Sequence, residues 1–129
     1  MVARRAAAAV GACYPAFATS MGRVLLAALP PVDLVVPVPL HPTRLRQRGY
    51  NQAALLAREL GKGVGLPVLE SALIRVRDTS PQVDLSAEER RENVRGAFHC
   101  PNDRLVGKSV LLVDDVYTTG ATLEACSLA

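Results

Sequence analysis

The chain has 129 residues, with 15 Lys or Arg against 12 Asp or Glu and a net charge of +3; this length suits one domain with a modest core. Hydrophobic residues make up 50% of the chain, aromatics only 4%, and Trp is absent, a profile of Val, Leu and Ala packing that leaves no stacking platform for bases. The small positive charge fits a phosphate-bearing ligand but falls short of a nucleic-acid footprint, and 21% charged residues argue against extended disorder.

The first thirty residues read as a helical lead-in, because Phe17, Met21, Val24, Leu25 and Leu29 repeat at spacings of three and four. Arg4-Arg5, the Ala-rich run and Ala16-Phe17-Ala18 loosely resemble an export signal. The run is mostly alanine, however, and Pro15 interrupts it. No apolar stretch is long enough for a membrane span. A helical lead-in over residues 1–30, no membrane span and a cytoplasmic location are therefore expected. Cys13, Cys100 and Cys126 are scattered and form no CxxC pair, which excludes a zinc knuckle and suits a reducing compartment.

Pro30-Pro31 ends the lead-in, and the remaining residues, 31–129, are read as one domain. Asp33 to Val38 is a β-branched run bounded by prolines, expected to be a buried strand. Pro39 to Gly49 reads as a loop rich in Pro and Arg. From Asn51 the apolar positions Ala54, Leu55, Leu56, Leu60 and Val64 fall at helical spacing, and Gly61, Gly63 and Gly65 close that helix. Leu66 to Val76 suits one or two short strands. Arg77 to Leu85 is polar, aperiodic and contains Pro81, a candidate mobile loop. Ser86-Ala87-Glu88-Glu89 offers a capping box for a brief helix toward Asn93. Ser109 to Val113 is a second apolar strand. This alternation predicts an α/β fold with an open, mainly parallel sheet. Two arginine clusters stand out, Arg44, Arg46 and Arg48, then Arg75, Arg77, Arg90, Arg91 and Arg95; they suit polyphosphate or solvated surface equally.

The second strand runs into Asp114-Asp115 and a polar loop, Thr118-Thr119-Gly120. Ligands of open α/β sheets sit beyond the carboxyl ends of the strands. Two adjacent carboxylates repel phosphate but accept hydrogen bonds from vicinal hydroxyls. Thr118, Thr119 and Thr122 supply hydroxyl donors, and Gly120 permits close backbone approach. A helix starting near Ala121 would present its positive end to an anion. Together these features describe a ribose-5-phosphate cradle.

The same residues, Val110 to Thr122, resemble the phosphoribosyl-pyrophosphate motif of type I phosphoribosyltransferases. Pro37-Val38-Pro39-Leu40-His41, Arg48 to Ala53, and Arg75, Arg77, Thr79, Pro81, Gln82, Arg90, Asn93, Gly96 and Phe98 narrow the resemblance to the ComF family, a phosphoribosyltransferase branch associated with competence for DNA uptake. The resemblance spans about residues 33 to 125. It implies that Asp114 and Asp115 hold the ribose hydroxyls and serve catalysis. It places the 5-phosphate on Thr118, Thr119, Gly120, Ala121 and Thr122. Val38, Pro39, Leu40 and His41 would approach pyrophosphate and its magnesium, with Arg48 as a further anion ligand. Arg75 and Arg77 would belong to a flexible loop that closes over the ligand. The implied reaction is transfer of a 5-phosphoribosyl group to an unknown acceptor, releasing pyrophosphate, with Mg2+ as cofactor. A non-catalytic phosphoribosyl-pyrophosphate-binding or competence accessory protein is the alternative.

Rival readings are weaker on the residues themselves. A Walker B strand needs a Walker A partner, and Gly107-Lys108-Ser109 precedes a strand while Asn102 occupies the first glycine position. Asp114-Asp115 as a mere turn cap leaves the Thr-Thr-Gly-Ala-Thr run unexplained. His41 and His99 have no second ligand at metal-binding spacing, so no side-chain metal site is expected. Against the family, the chain lacks an N-terminal cysteine-rich segment and stops seven residues after Thr122. The domain is thus expected to be C-terminally incomplete, as a fragment, a truncated reading frame or a form completed by a partner chain, and a homodimer stands among the candidate partners.

Overall fold

The computed structural model describes residues 5–9, 31–79, 84–115 and 120–129. In chain order these form β1 (Arg5–Ala9), β2 (Leu34–Pro37), α1 (Pro42–Arg48), α2 (Gln52–Val64), β3 (Ile74–Arg75), α3 (Ala87–Val94), β4 (Phe98–His99), a 3-10 turn at Asp103–Leu105, β5 (Val110–Asp114) and α4 (Ala121–Leu128). The chain is an α/β protein built on a small parallel sheet of order β1-β5-β2. Beyond β2, Val35 makes one parallel bridge to Val68, and β3 pairs antiparallel with β4 in a separate ribbon.

β5 is apolar from Val110 to Val113 because both faces of the sheet are covered. Leu111 and Val113 pack with Val35 against Leu56, Ala57 and Leu60 of α2. Val110 and Leu112 pack with Leu34 and Val36 against Leu123 and Cys126 of α4, and against Val94 and Phe98. Leu60, 1% exposed, contributes about 1.5–3 kcal/mol through burial. The two-residue period puts Asp114 on the α4 face with Val110 and Leu112. Asp33 and Ser109 fix the register at the amino end: the Asp33 amide donates to the Ser109 carbonyl at 2.8 Å, and the Ser109 amide to Asp33 Oδ2 at 2.7 Å.

α2 begins and ends as its sequence predicts. The Asn51 side chain accepts from the Ala53 amide, and Gly65 closes the helix in the left-handed region at φ 72°. Gly61 lies inside the helix for a different reason. A Cβ there would come within 2.4 Å of Val68 Cγ2 and 2.8 Å of the Leu66 carbonyl, so hydrogen is the largest substituent that lets α2 lie against the Leu66–Val68 segment. α3 carries the expected capping box, Ser86 with Glu89, both bonds formed.

Two expectations are corrected. Arg5–Ala9, placed in a helical lead-in over residues 1–30, is a strand. Its alanines favour helix locally, but pairing with β5 from Arg5–Val110 to Ala9–Asp114 satisfies backbone groups that propensity alone does not weigh. The Phe17–Leu29 stripe lies outside the described residues. Pro39 to Gly49 is not all loop, since Pro42–Arg48 forms α1. The prolines there read as breakers, yet Pro42 stands in the first turn, where its missing amide costs nothing, and Gly49 ends the helix at φ 87°. The expected strand content of Leu66 to Val76 comes down to the Val68 bridge and β3.

Candidate functional site

β2 and β5 run parallel as neighbours, so their carboxyl ends meet at one edge of the sheet. Asp114 ends β5 and is 8% exposed; Asp115 follows, partly buried. The Asp115 amide donates to Asp114 Oδ1 at 2.9 Å, which orients that carboxylate against its own backbone. Thr118 and Thr119 lie outside the described residues. The chain re-enters at Gly120, left-handed at φ 76°, which starts α4 without a side-chain cap. Ala121 is buried in the first turn and Thr122 is half-buried. The helix therefore begins where the sequence predicts, with its positive end at the end of the loop that leaves Asp115.

The loop after β2 is bound to the same edge. The Val38 amide donates to the Val113 carbonyl at 2.8 Å, placing it one residue from Asp114. The Val38 carbonyl accepts from Asn51 Nδ2 at 3.0 Å, while Asn51 Oδ1 accepts from the Ala53 amide at 3.1 Å. One side chain thus starts α2 and holds the loop. His41 has a local duty: its Nδ1 accepts from the Thr43 amide at 3.3 Å, capping α1. Pro39 and Leu40 are half-buried, and Arg48 lies exposed in the last turn of α1, where it suits the negative end of that helix.

Arg75 brings positive charge to this edge. Its guanidinium lies over the Phe98 ring at 5.3 Å and donates through Nη2 to Thr79 Oγ1. Its Nε is buried without a hydrogen-bond partner among the described residues. Burial pulls the Arg75 pKa below its ordinary value, and the positive charge of Arg44 adds to this; Cys126, Asp78 and Asp114 act in the opposite sense. Arg75 is therefore close enough to Asp114 to feel its charge. Arg44 reaches the same place from α1, bonding Asp78 Oδ1 through Nε and the Thr79 carbonyl through Nη2, each at 3.1 Å. Thr79, 6% exposed, is shared by both arginines. Arg77 is engaged elsewhere, donating to the carbonyls of Asn93 at 2.9 Å and Arg95 at 2.6 Å, where α3 ends. Pro81 and Gln82, named with this loop, lie outside the described residues.

Beside the Val38–His41 loop opens a cleft of about 430 Å³, walled by Pro39, Leu40, Tyr50, Leu55, Ile74 and Arg75 among others. Among the described residues, no group of three or more His, Cys, Asp or Glu gathers as a metal cage. Among the described residues at this strand end, the adjacent carboxylates of Asp114 and Asp115 are the oxygen donors a magnesium ion would meet. Two residues that hold the loops of this edge in place were not given that duty from sequence. Asn51 carried a readable signal, an N-cap residue before an apolar helical stripe. Arg44 did not, because its partners Asp78 and Thr79 lie 34 and 35 positions away.

No family model matches the chain. Similar curated proteins exist. Ninety-seven residues are 41% identical to Competence protein F of Haemophilus influenzae, covering 74% of this chain and 42% of that protein. Ninety-one residues are 37% identical to DNA utilization protein YhgH of Escherichia coli K12, covering 70% of this chain and 40% of that protein. Ninety-three residues are 36% identical to Competence protein ComFC of Bacillus subtilis, covering 70% of this chain and 35% of that protein. The chain spans about two-fifths of the length of the curated relatives it matches. These relatives support the ComF resemblance, and among the described residues no helix is long and apolar enough to cross a membrane.

Proposed function

We propose that this chain is the phosphoribosyltransferase-like part of a ComF-type protein and binds phosphoribosyl pyrophosphate at the carboxyl ends of β2 and β5. One observation carries the reading. A buried strand delivers Asp114 and Asp115 to the sheet edge, and Gly120 opens a helix at the far end of the same short loop. The carboxylates suit the ribose diol and the helix end suits the 5-phosphate. The Val38–His41 loop, hydrogen-bonded to the same strand end, is the expected neighbour of the pyrophosphate, with Arg75 and Arg44 as the nearby cations.

In the proposed transfer, a nucleophilic nitrogen of the acceptor forms the new bond to the anomeric carbon. The carbon–oxygen bond to pyrophosphate breaks, and its electron pair leaves with pyrophosphate. The nitrogen's proton passes to solvent. This chain's residues contribute positioning and electrostatics: the carboxylates hold the hydroxyls and the guanidiniums meet the leaving group. Magnesium bound to pyrophosphate would supply charge neutralisation there.

The names of the relatives favour a second reading, an accessory protein of competence or DNA utilisation, in which the same site would bind phosphoribosyl pyrophosphate without turnover. Calorimetric titration with phosphoribosyl pyrophosphate and magnesium, beside ribose 5-phosphate and ATP, tests what both readings share. Saturable binding tighter than both controls is expected, and its absence from folded protein would overturn the assignment. Pyrophosphate release with an amine or base acceptor then separates enzyme from binding protein.

A further inference from the structure

The Val38–His41 loop is held at both ends, and the backbone donors between those ends have no partner. The Val38 amide donates to the Val113 carbonyl at 2.8 Å, and the Val38 carbonyl accepts from Asn51 Nδ2 at 3.0 Å. At the other end, His41 Nδ1 accepts from the Thr43 amide at 3.3 Å and the His41 carbonyl from the Leu45 amide at 3.0 Å. Among the described residues, the backbone amides of Leu40 and His41 donate to nothing. Both residues are half-buried. Backbone donors drawn away from water normally find a partner, and here that partner is solvent or a ligand.

Resting on the phosphoribosyl-pyrophosphate reading, we propose that Asn51 is a positioning residue for the pyrophosphate. By holding the Val38 carbonyl it aims the Leu40 and His41 amides, and so sets the preference of the site for a pyrophosphate-bearing ligand over a sugar monophosphate.

The covalent structure of the loop makes this bond a lever. The peptide between Val38 and Pro39 has no amide hydrogen, so its carbonyl is the group through which hydrogen bonding can set its plane. That plane is rigid, and proline fixes its own φ at about −65°. One soft dihedral, the ψ of Pro39, then separates the bonded carbonyl from the Leu40 amide. A single hydrogen bond at Val38 therefore governs where the next donor points.

Capping α2 does not by itself call for asparagine. Ser and Asp start helices as well as Asn does, but Asp carries no donor, and the Ser hydroxyl sits one bond nearer the backbone than the Asn amide nitrogen. Asn51 uses its oxygen on the Ala53 amide at 3.1 Å and its nitrogen on Val38. Reversing the amide would set oxygen against the Val38 carbonyl, so these two partners fix its orientation.

The test compares the chain with Asn51→Ser and Asn51→Ala, each titrated by calorimetry with phosphoribosyl pyrophosphate and with ribose 5-phosphate, magnesium present throughout. Asn51→Ser keeps a cap and loses the bond to Val38. It is expected to bind phosphoribosyl pyrophosphate about fivefold or more weakly, the effect of one hydrogen bond, with ribose 5-phosphate affinity and melting temperature held. Asn51→Ala should show the same narrowed preference and a lower melting temperature, since it also loses the cap. Amide spectra supply a readout that a merely structural role would not move. Phosphoribosyl pyrophosphate, and not ribose 5-phosphate, should shift Leu40 and His41, and those shifts should shrink in Asn51→Ser while Leu56 and Leu60 of α2 keep their positions. An unchanged preference in Asn51→Ser, or an equal loss of both ligands, would overturn the positioning role and leave the cradle standing. Failure of the unsubstituted chain to bind phosphoribosyl pyrophosphate would remove the underlying reading itself, and this role with it.

Discussion

Asp114 and Asp115 are adjacent in sequence but differ in surroundings. Asp114 is buried, accepts its neighbour's amide and lies within electrostatic reach of Arg75. Asp115 is more open, and in the proposed function it is the carboxylate that meets a ribose hydroxyl. Asp115→Asn should therefore weaken phosphoribosyl pyrophosphate binding by about 1–3 kcal/mol, the worth of a charge-assisted hydrogen bond, measured by calorimetry with thermal stability unchanged. Gly120 acts through its backbone. At φ 76° a β-branched side chain is strained, so Gly120→Val should lose more affinity than Asp115→Asn in the same titration. The diacid and Gly120 were legible in the sequence because a strand, two acids and a Thr-Gly loop follow one another without interruption. The pairing of Arg44 and Arg75 on Thr79 was not legible, since a contact 35 positions apart leaves no periodic trace.

Helices and strands here were readable where local signals agreed. Asn51 and Gly65 mark α2, and Ser86 with Glu89 marks α3. α1 was hidden because Pro42 looks like a breaker until its position in the first turn is known. Gly61 was read as part of a helix ending, while the structure gives it a packing role. Gly61→Ala would gain roughly 0.5–1 kcal/mol of helix propensity and lose about 1–3 kcal/mol to overpacking against Val68 and the Leu66 carbonyl. A net destabilisation is expected, visible as a lower urea midpoint at unchanged slope. The α3 cap gives a pH prediction. Hydrogen bonds from the Ser86 backbone and side chain hold Glu89 below the ordinary carboxylate range. A depressed folded pKa contributes stability that is present above the unfolded value and lost as pH falls through the folded one. The amides of α3 should therefore exchange faster as pH drops below about 4.5, after correction for intrinsic rates, and Glu89→Gln should remove that dependence.

The whole molecule is organised around β5, the middle strand, covered by α2 on one face and by α4, Val94 and Phe98 on the other. α1 has no buried residue. Native-state hydrogen exchange should find the Leu111 to Val113 amides at least about 100-fold slower than those of α1, relative to intrinsic rates. The α/β class followed from two apolar runs and the helical stripe between them. Strand order did not, because which strand flanks β5 is decided by tertiary pairing, and the alanines of β1 favour the helix they do not form.

The bonds between Asp33 and Ser109 join positions 76 apart. During synthesis, β2 must therefore wait with its pairing edge toward β5 unsatisfied until almost all of the described chain has been made. Such distant parallel pairing is slow to nucleate, and an unpaired apolar strand invites association with other chains. The strand that ends this wait is the one that carries Asp114. Closing the sheet and bringing Asp114 and Asp115 together with the Val38 loop are then a single late event, so no partly made chain presents that edge in its final form.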